Sequence, residues 1–403
     1  MQNRLALLFI LTTVMIDSIG IGIIFPIMPE LMREVTGADL ASASLWGGAL
    51  ATSFAVMQFL CGPIVGNLSD RYGRRPVMLI ALVVMALDYL IMAVAGSVWL
   101  LLVGRIVAGA AAATYSTANA YVADISTPDQ RAKNFGYIGA AFGLGFIAGP
   151  LLGGIAAEWG TRAPFWVAAA IAALNALFGL FALPESLAST KRRPFRLSRA
   201  NPFGSFRAIG HLPGLKRLLA IMFLYTVAFQ SYPSIWAFFG TERFGWDAWW
   251  NGVSLALFGG FMVVVQGFLV APAIRLWGDR NTAAYGMTLE VVTFGFYGFV
   301  SSGFWALVFT PVASVAGIAG PALSGIMANA TPDDQQGELQ GVIASVSAIA
   351  MGLAPMLMTS VFWAFTHEGA THYLPGAPFL LSGLLMVASV IVLVVPARER
   401  AVA

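Results

Sequence analysis

Charge is scarce in this chain. Of its 403 residues only 10% are Asp, Glu, Lys or Arg, against roughly 25% in an ordinary soluble domain. So few charges leave no means of covering a water-facing surface, and most of the surface must face lipid. Cysteine is almost absent: Cys61 stands alone, which excludes a disulfide framework and any cysteine-based metal site. Histidine is nearly as rare, and His211, His367 and His372 read as loop residues. There is no P-loop lysine to drive a process with ATP, no HExxH and no nucleophile elbow. The expected class is therefore neither an enzyme nor a nucleic-acid binder, and no metal or cofactor is expected to reside in it.

What the chain has instead is hydrophobic length: 59% of residues are apolar. Crossing a bilayer takes roughly 20 apolar residues. Such segments fall near 5–29, 44–66, 76–95, 98–122, 133–156 and 164–183, and resume near 217–239, 249–272, 282–301, 303–327, 338–363 and 378–396. The first is too long for a signal-peptide core and holds Asp17, so it reads as an uncleaved first helix. The fold expected is an all-α membrane protein of twelve transmembrane helices in two six-helix repeats. Residues 1–184 form one bundle, 185–216 a basic linker and 217–403 the second bundle.

Arginine and lysine set the orientation. Eighteen of the 22 lie at the termini or in loops on one side, eight of them between Lys191 and Arg217. The opposite loops hold only Arg33, Arg162 and Arg243, and Arg105 lies inside a span. Both termini and the linker are thus expected in the cytoplasm, with the chain crossing its membrane many times. The linker carries one carboxylate among its many bases and reads chiefly as a tether whose charge fixes topology.

The halves echo each other. Thr127-Pro128-Asp129 and Thr331-Pro332-Asp333 open the fifth and eleventh spans at an offset of 204; Gly149-Pro150 and Ala354-Pro355 bend them at 205; Gly62-Pro63 and Ala271-Pro272 recur at 209. Such parallel repeats place a substrate at the membrane midplane between them.

The loop after the second span reads Gly66-Asn67-Leu68-Ser69-Asp70-Arg71-Tyr72-Gly73-Arg74-Arg75-Pro76. Glycine permits a tight turn and arginine forks suit carboxylates. Asp124, at the end of the fourth span, sits at the negative pole of its helix and needs a cation. Asp70, Arg71, Arg74, Arg75 and Asp124 are the expected gating group, with Asp70, Arg74 and Asp124 at its centre. Gly145, Gly149 and Pro150 in the fifth span allow close backbone approach and a bend.

The loop closely matches the signature of the major facilitator superfamily, and Gly145-Phe146-Ile147-Ala148-Gly149-Pro150-Leu151-Leu152-Gly153-Gly154 resembles the motif of its drug–proton antiporter branch. The chain further resembles the tetracycline efflux proteins of Gram-negative bacteria, through Asp17-Ser18-Ile19-Gly20-Ile21-Gly22, Leu87-Asp88-Tyr89-Leu90, Gly104-Arg105, Glu242-Arg243-Phe244-Gly245-Trp246 and Gln335-Gln336-Gly337. The resemblance implies exchange of a drug, tetracycline foremost, as a complex with Mg2+ or another divalent cation, against protons across a bacterial inner membrane; the protein is expected to act as a monomer. Broader drug or metabolite export on the same scaffold is the alternative.

Ionisable groups inside spans are costly and functional by default. Four remain: Asp17, Asp88, Arg105 and Glu290. The resemblance places all four at positions of proton exchange, with Asp17 and Arg105 expected as the coupling pair. Gln58 and Gln266, paired across the repeat, can both donate to and accept from a polyoxygenated ligand, or hydrogen-bond between helices. Tyr225, Phe229, Tyr232 and Trp236 fall on one face of the seventh span, as pocket lining or as packing. Met262 stands where the family has a histidine, and Asp17, Tyr225, Phe229 and Met262 join the two glutamines as expected substrate contacts.

Overall fold

The computed structural model describes residues 2–196, 200–204 and 215–395. Arg199, Arg207, His211, Arg398, Arg400 and the Arg4 side chain lie outside the described residues. The helices are α1 (Gln2–Thr36), α2 (Leu40–Tyr72), α3 (Arg74–Val94), α4 (Val98–Ala111), α5 (Thr114–Ile125), α6 (Pro128–Ala157) and α7 (Ala163–Ala182), then α8 (Leu215–Phe229), α9 (Ser231–Phe244), α10 (Ala248–Val264), α11 (Val270–Phe299), α12 (Gly303–Val308), α13 (Thr310–Ala316), α14 (Ala319–Asn329), α15 (Gln336–Thr366) and α16 (Ala377–Val394). Among the described residues, eleven helical runs are long and apolar enough to cross a membrane. One of these, Ala248–Phe299, has 52 residues. Straight, it would extend about 78 Å, over twice the hydrocarbon thickness. It is broken at Gly278, whose φ is +74°, so it supplies two spans and the total is twelve.

Three expected spans are interrupted. The fourth breaks between α4 and α5, the seventh between α8 and α9, and the tenth between α12, α13 and α14. Proline accounts for the last two, because it withholds the N–H that the carbonyl four residues earlier needs. Pro233 follows the end of α8 at Phe229 by four residues, and Pro311 leaves Leu307 unserved near the end of α12. The break after α4 has no proline; its free Ala112 carbonyl receives Gln58 Nε2 at 3.4 Å. In the eighth span, Val265–Leu269 widens into one π-helical turn.

α1 and α6 touch through their backbones. A Cβ on Gly149 would lie 2.6 Å from the Ile19 carbonyl oxygen and 2.7 Å from Gly22 Cα, and one on Gly153 would lie 2.7 Å from the Ile23 oxygen. Gly145 faces the Met15 carbonyl in the same way. Glycines spaced by four thus form one seam, as membrane helices without a hydrophobic driving force require.

Between the halves, α2 lies along α15 and α6 along α10. Their contact is tight away from the basic loops. Gly47 abuts Phe238, Gly48 abuts Thr359, Gly154 abuts the Ala248 carbonyl and Gly252 abuts the Pro150 carbonyl; Met356 N–H donates to Thr52 Oγ1 at 3.2 Å. Toward the basic side, Gly62, Gly66, Gly136, Gly139, Gly260 and Gly267 have nothing within 4 Å of a built Cβ. The halves are closed at one face and apart at the other. On the closed face the sparse arginines tie helix ends together: Arg162 bonds Glu34 Oε1 at 2.9 Å and the Met92 carbonyl at 2.8 Å, and Arg243 bonds the Val300 carbonyl at 3.0 Å.

The turn glycines correct the repeat. Gly73 has φ +110° and Gly278 has φ +74°, and they lie 205 residues apart, in step with Gly149-Pro150 and Ala354-Pro355. At that offset Pro63 and Pro272 are not equivalent, since one precedes its turn by ten residues and the other by six. Gln58 and Gln266 likewise differ by about one helical turn in depth.

Gly149→Ala should lower the thermal midpoint in detergent, since overpacking a tight core costs about 1–3 kcal/mol. Gly139→Ala, with open space around it, should leave the midpoint unchanged.

Candidate functional site

The cluster expected at the basic end of the first half is assembled. Arg74 Nη1 contacts Asp70 Oδ1 at 2.7 Å and Arg74 Nε contacts Asp124 Oδ2 at 3.2 Å. Asp124 lies in the last turn of α5, where the helix dipole disfavours an anion, and the guanidinium offsets that. Arg71 covers the ring of its neighbour Tyr72 at 5.0 Å instead, and Arg75 Nη2 donates to the Leu180 carbonyl at 2.5 Å.

Glu185 is the residue sequence reading passed over. Its carboxylate accepts from the backbone N–H groups of Arg74 at 2.9 Å and Arg75 at 3.2 Å. It therefore caps the positive end of α3, packed against Gly73 so closely that a side chain there would strike it. Ser186 Oγ donates to Asp124 Oδ2 at 3.1 Å, Arg193 N–H to the Asp70 carbonyl at 3.1 Å and Asn67 Nδ2 to the Arg196 carbonyl at 2.7 Å. The start of the linker is part of this cluster rather than a loose tether. Its sign in the sequence was the one carboxylate among the linker's bases.

The second copy of the turn keeps the geometry with different chemistry. Asp279 occupies the place of Arg74 and Asn329 that of Asp124, each 205 residues on, and Asn329 Nδ2 donates to Asp279 Oδ2 at 3.0 Å.

Within the membrane, Arg105 is paired with Asp88, not with Asp17. The two side chains are bonded through Arg105 Nη2 and Asp88 Oδ2, with Nε donating to Oδ1 at 3.3 Å. Asp88 is 2% exposed and Arg105 8%. Gly104, beside Arg105, brings α4 against α3: a Cβ there would lie 3.0 Å from Asp88 Oδ1. The other face of the guanidinium lies over the Phe54 ring at 5.1 Å. Helix rotation decides this pairing, and it corrects the expected Asp17–Arg105 couple. Asp17 accepts no hydrogen bond among the described residues; Tyr89, whose hydroxyl rests against Gly20, lies close enough to feel its charge.

In the second half Glu290 is fully buried. Tyr232 donates to its Oε2 at 3.3 Å, while Oε1 has no partner. Tyr225, Phe229, Tyr232 and Trp236 form one continuous stripe, with centroids 6.0, 5.4 and 6.4 Å apart. Tyr232 meets Phe294 of α11 at 5.3 Å and Phe379 of α16 at 6.2 Å. The stripe packs inside the second bundle around Glu290, not between the halves. The positions that answer Asp88 and Arg105 are Thr293 and Thr310, so this half has no ion pair at that depth. Met262 packs against Gly317. Gln58 serves the break after α4, and Gln266 is exposed on the π-helical turn with no hydrogen-bond partner among the described residues.

Residues 10–355 match the profile of the Major Facilitator Superfamily. The tetracycline resistance protein, class C, of Escherichia coli is 37% identical over 391 residues, covering 95% of this chain and 98% of that protein. Multidrug resistance protein 2 of Bacillus subtilis (strain 168) is 28% identical over 400 residues, covering 96% and 94%. Among solved structures, the human organic anion transporter MFSD10 (TETRAN) superposes with a TM-score of 0.69 at 26% identity, covering 97% of this chain and 99% of that one.

Removing one member of a buried ion pair strands the other, at about 3–5 kcal/mol, whereas replacing both by apolar groups is often neutral. Asp88→Leu and Arg105→Met should each lower the unfolding midpoint in detergent by several degrees, and the double variant should recover most of that loss.

Proposed function

Because the chain belongs to the Major Facilitator Superfamily, we propose that it is a proton-coupled antiporter of the bacterial inner membrane that exports tetracycline, carried as a complex with a divalent cation. The observation that carries this reading is the distribution of intramembrane charge. The Arg105 guanidinium is consumed by Asp88, which leaves Asp17 and Glu290 as carboxyls with no cation beside them among the described residues. Such groups take up and release protons as their surroundings change. The identity to the class C tetracycline resistance protein supports the choice of substrate.

The basic side faces the cytoplasm, with both termini there, as the positive-inside rule requires. The open face then admits drug from the cytoplasm between the bundles 1–184 and 217–403. Closure of that face brings the basic-side ends of α2 and α6 toward those of α15 and α10. The Arg74–Asp70–Asp124 cluster, capped by Glu185, holds the first bundle's rim in shape through the movement. Opening of the opposite face releases drug outward and lets a proton reach Asp17. Return to the first state carries the proton inward. The protein works as a monomer, holds no resident cofactor and performs no covalent chemistry; a divalent cation is cargo. Gln58, Tyr225, Phe229 and Met262 enter this account as packing that holds the helices around the route, and Gln266, exposed on the π-helical turn, as a polar contact for the drug.

Uptake of tetracycline into inverted membrane vesicles tests the reading. Accumulation should require the proton gradient and vanish when it is collapsed. Asp17→Asn should insert normally and lose gradient-driven uptake by at least tenfold. Normal pumping by that variant would overturn the assignment of Asp17. Absence of tetracycline uptake, together with proton release driven by another compound, would favour the broader exporter that the resemblance to multidrug resistance protein 2 suggests.

A further inference from the structure

Two buried donors in the first bundle have no partner among the described residues and no assigned role. Asn175 of α7 is 3% exposed; its Oδ1 accepts from Thr13 Oγ1 at 3.2 Å, and its Nδ2 is unpaired. Tyr89 of α3 is 2% exposed, and its hydroxyl, lodged against Gly20, is unpaired as well. Thr13, Asp17 and Gly20 are spaced four and three residues apart, which sets them on one face of α1. The opposite face, Met15, Ser18, Ile19 and Gly22, is held by α6 through Gly145 and Gly149 and through Ser18 Oγ donating to the Phe142 carbonyl at 2.7 Å. The rotation of α1 is thereby fixed, and Asp17 is turned toward α3 and α7. One unpaired donor lies about a turn before it, the other about a turn after.

Buried donors of this kind are normally satisfied by ordered water, and a water needs two to four polar partners. An amide N–H, a phenol O–H and a carboxylate within two turns of one helix face meet that need. We propose that Thr13, Asp17, Tyr89 and Asn175 line a water site, with one water bridging Asn175 Nδ2 and a second bridging Tyr89 Oη to the Asp17 carboxylate. Tyr89 and Asn175 are then positioning residues for the coupling acid. A proton delivered to either water passes to an Asp17 oxygen and leaves neutral water behind; no other bond changes. The inference rests on Asp17 being that acid.

Other ionisable groups near this stretch are otherwise engaged. Asp88 and Arg105 bind each other, and Tyr121 of α5 donates to the Pro184 carbonyl at 2.9 Å. Tyr115 of α5 stacks on Phe142 at 5.5 Å, and on α9 Tyr232 is bound to Glu290 and Glu242 to Tyr373. α7 and α10 carry no ionisable residue, and those of α2 and α6 lie at their basic ends.

The test is the pH profile of tetracycline uptake in inverted vesicles by the full-length protein, with inserted protein quantified for every variant. A donor aimed at a carboxylate favours its charged form, so Tyr89→Phe and Asn175→Leu should each move the half-maximal pH upward by half a unit or more. Maximal rate should fall at least fivefold with KM changed less than twofold. Asn175→Ser, which keeps a donor and leaves room for water, should restore most of the rate and the profile. If Asn175→Leu fails to insert, Tyr89→Phe decides alone. Wild-type profiles in the inserted variants, alongside a dead Asp17→Asn, would overturn this water site while leaving the antiport reading intact. An active Asp17→Asn would remove the premise of both.

Discussion

An ion inside hydrocarbon has no water to fall back on, and the placement of charge in this protein follows from that. Arg105 is tolerated because Asp88 bonds it and Phe54 offers its ring face. With that cation spent, neither Asp17 nor Glu290 has one among the described residues, and each has a tyrosine instead: Tyr89 near one, Tyr232 bonded to the other. The same constraint governs the backbone. Where α4 stops short, the exposed Ala112 carbonyl is met by Gln58; where α3 begins, its free N–H groups are met by Glu185; where α3 and α11 end, arginines take the carbonyls. Polar groups in the spans are spent on one another, and those left over are candidates for function.

Duplication supplied two copies of one geometry and let their electrostatics diverge. The positive-φ turns at Gly73 and Gly278 are equivalent, yet one holds Arg74 against Asp124 and the other Asp279 against Asn329. At mid-membrane the first half has Asp88 and Arg105 where the second has Thr293 and Thr310. The first bundle therefore carries one neutralised pair beside the unpaired Asp17. The second carries a single acid in an aromatic core, with Tyr232, Phe294 and Phe379 packed around it. The two bundles thus offer a proton quite different surroundings.

Glycine decides where those bundles meet. Gly145, Gly149 and Gly153 let α6 lie on the backbone of α1, and Gly47, Gly48, Gly154 and Gly252 let the halves close at one face. The glycines nearer the basic side of α2, α6 and α10 face open space. Surfaces smooth at both ends suit bundles that rock, since closure at either end then requires no side chain to be displaced.

Much of this was legible along the chain. Twelve spans, their common side, the six-helix repeat and the Asp70–Arg74–Asp124 cluster follow from hydropathy, from the bias of arginine and from turn residues, all properties of neighbouring positions. The glycines of the fifth span announced a close helix contact. Less was legible wherever helix rotation matters: each residue turns a side chain by about 100°, so the sequence pattern does not say which acid Arg105 faces, and in space it reaches Asp88. Gln58 and Gln266 looked matched until the turn glycines set the register, and Glu185 looked like one acid in a basic linker until α3 was seen to begin beneath it. Composition by itself determined that the chain spans a membrane and which side bears its charge, because lipid sorts residues one at a time. Only the tertiary structure decided which charge neutralises which, because that depends on the facing of helices whose contacts lie far apart in the chain.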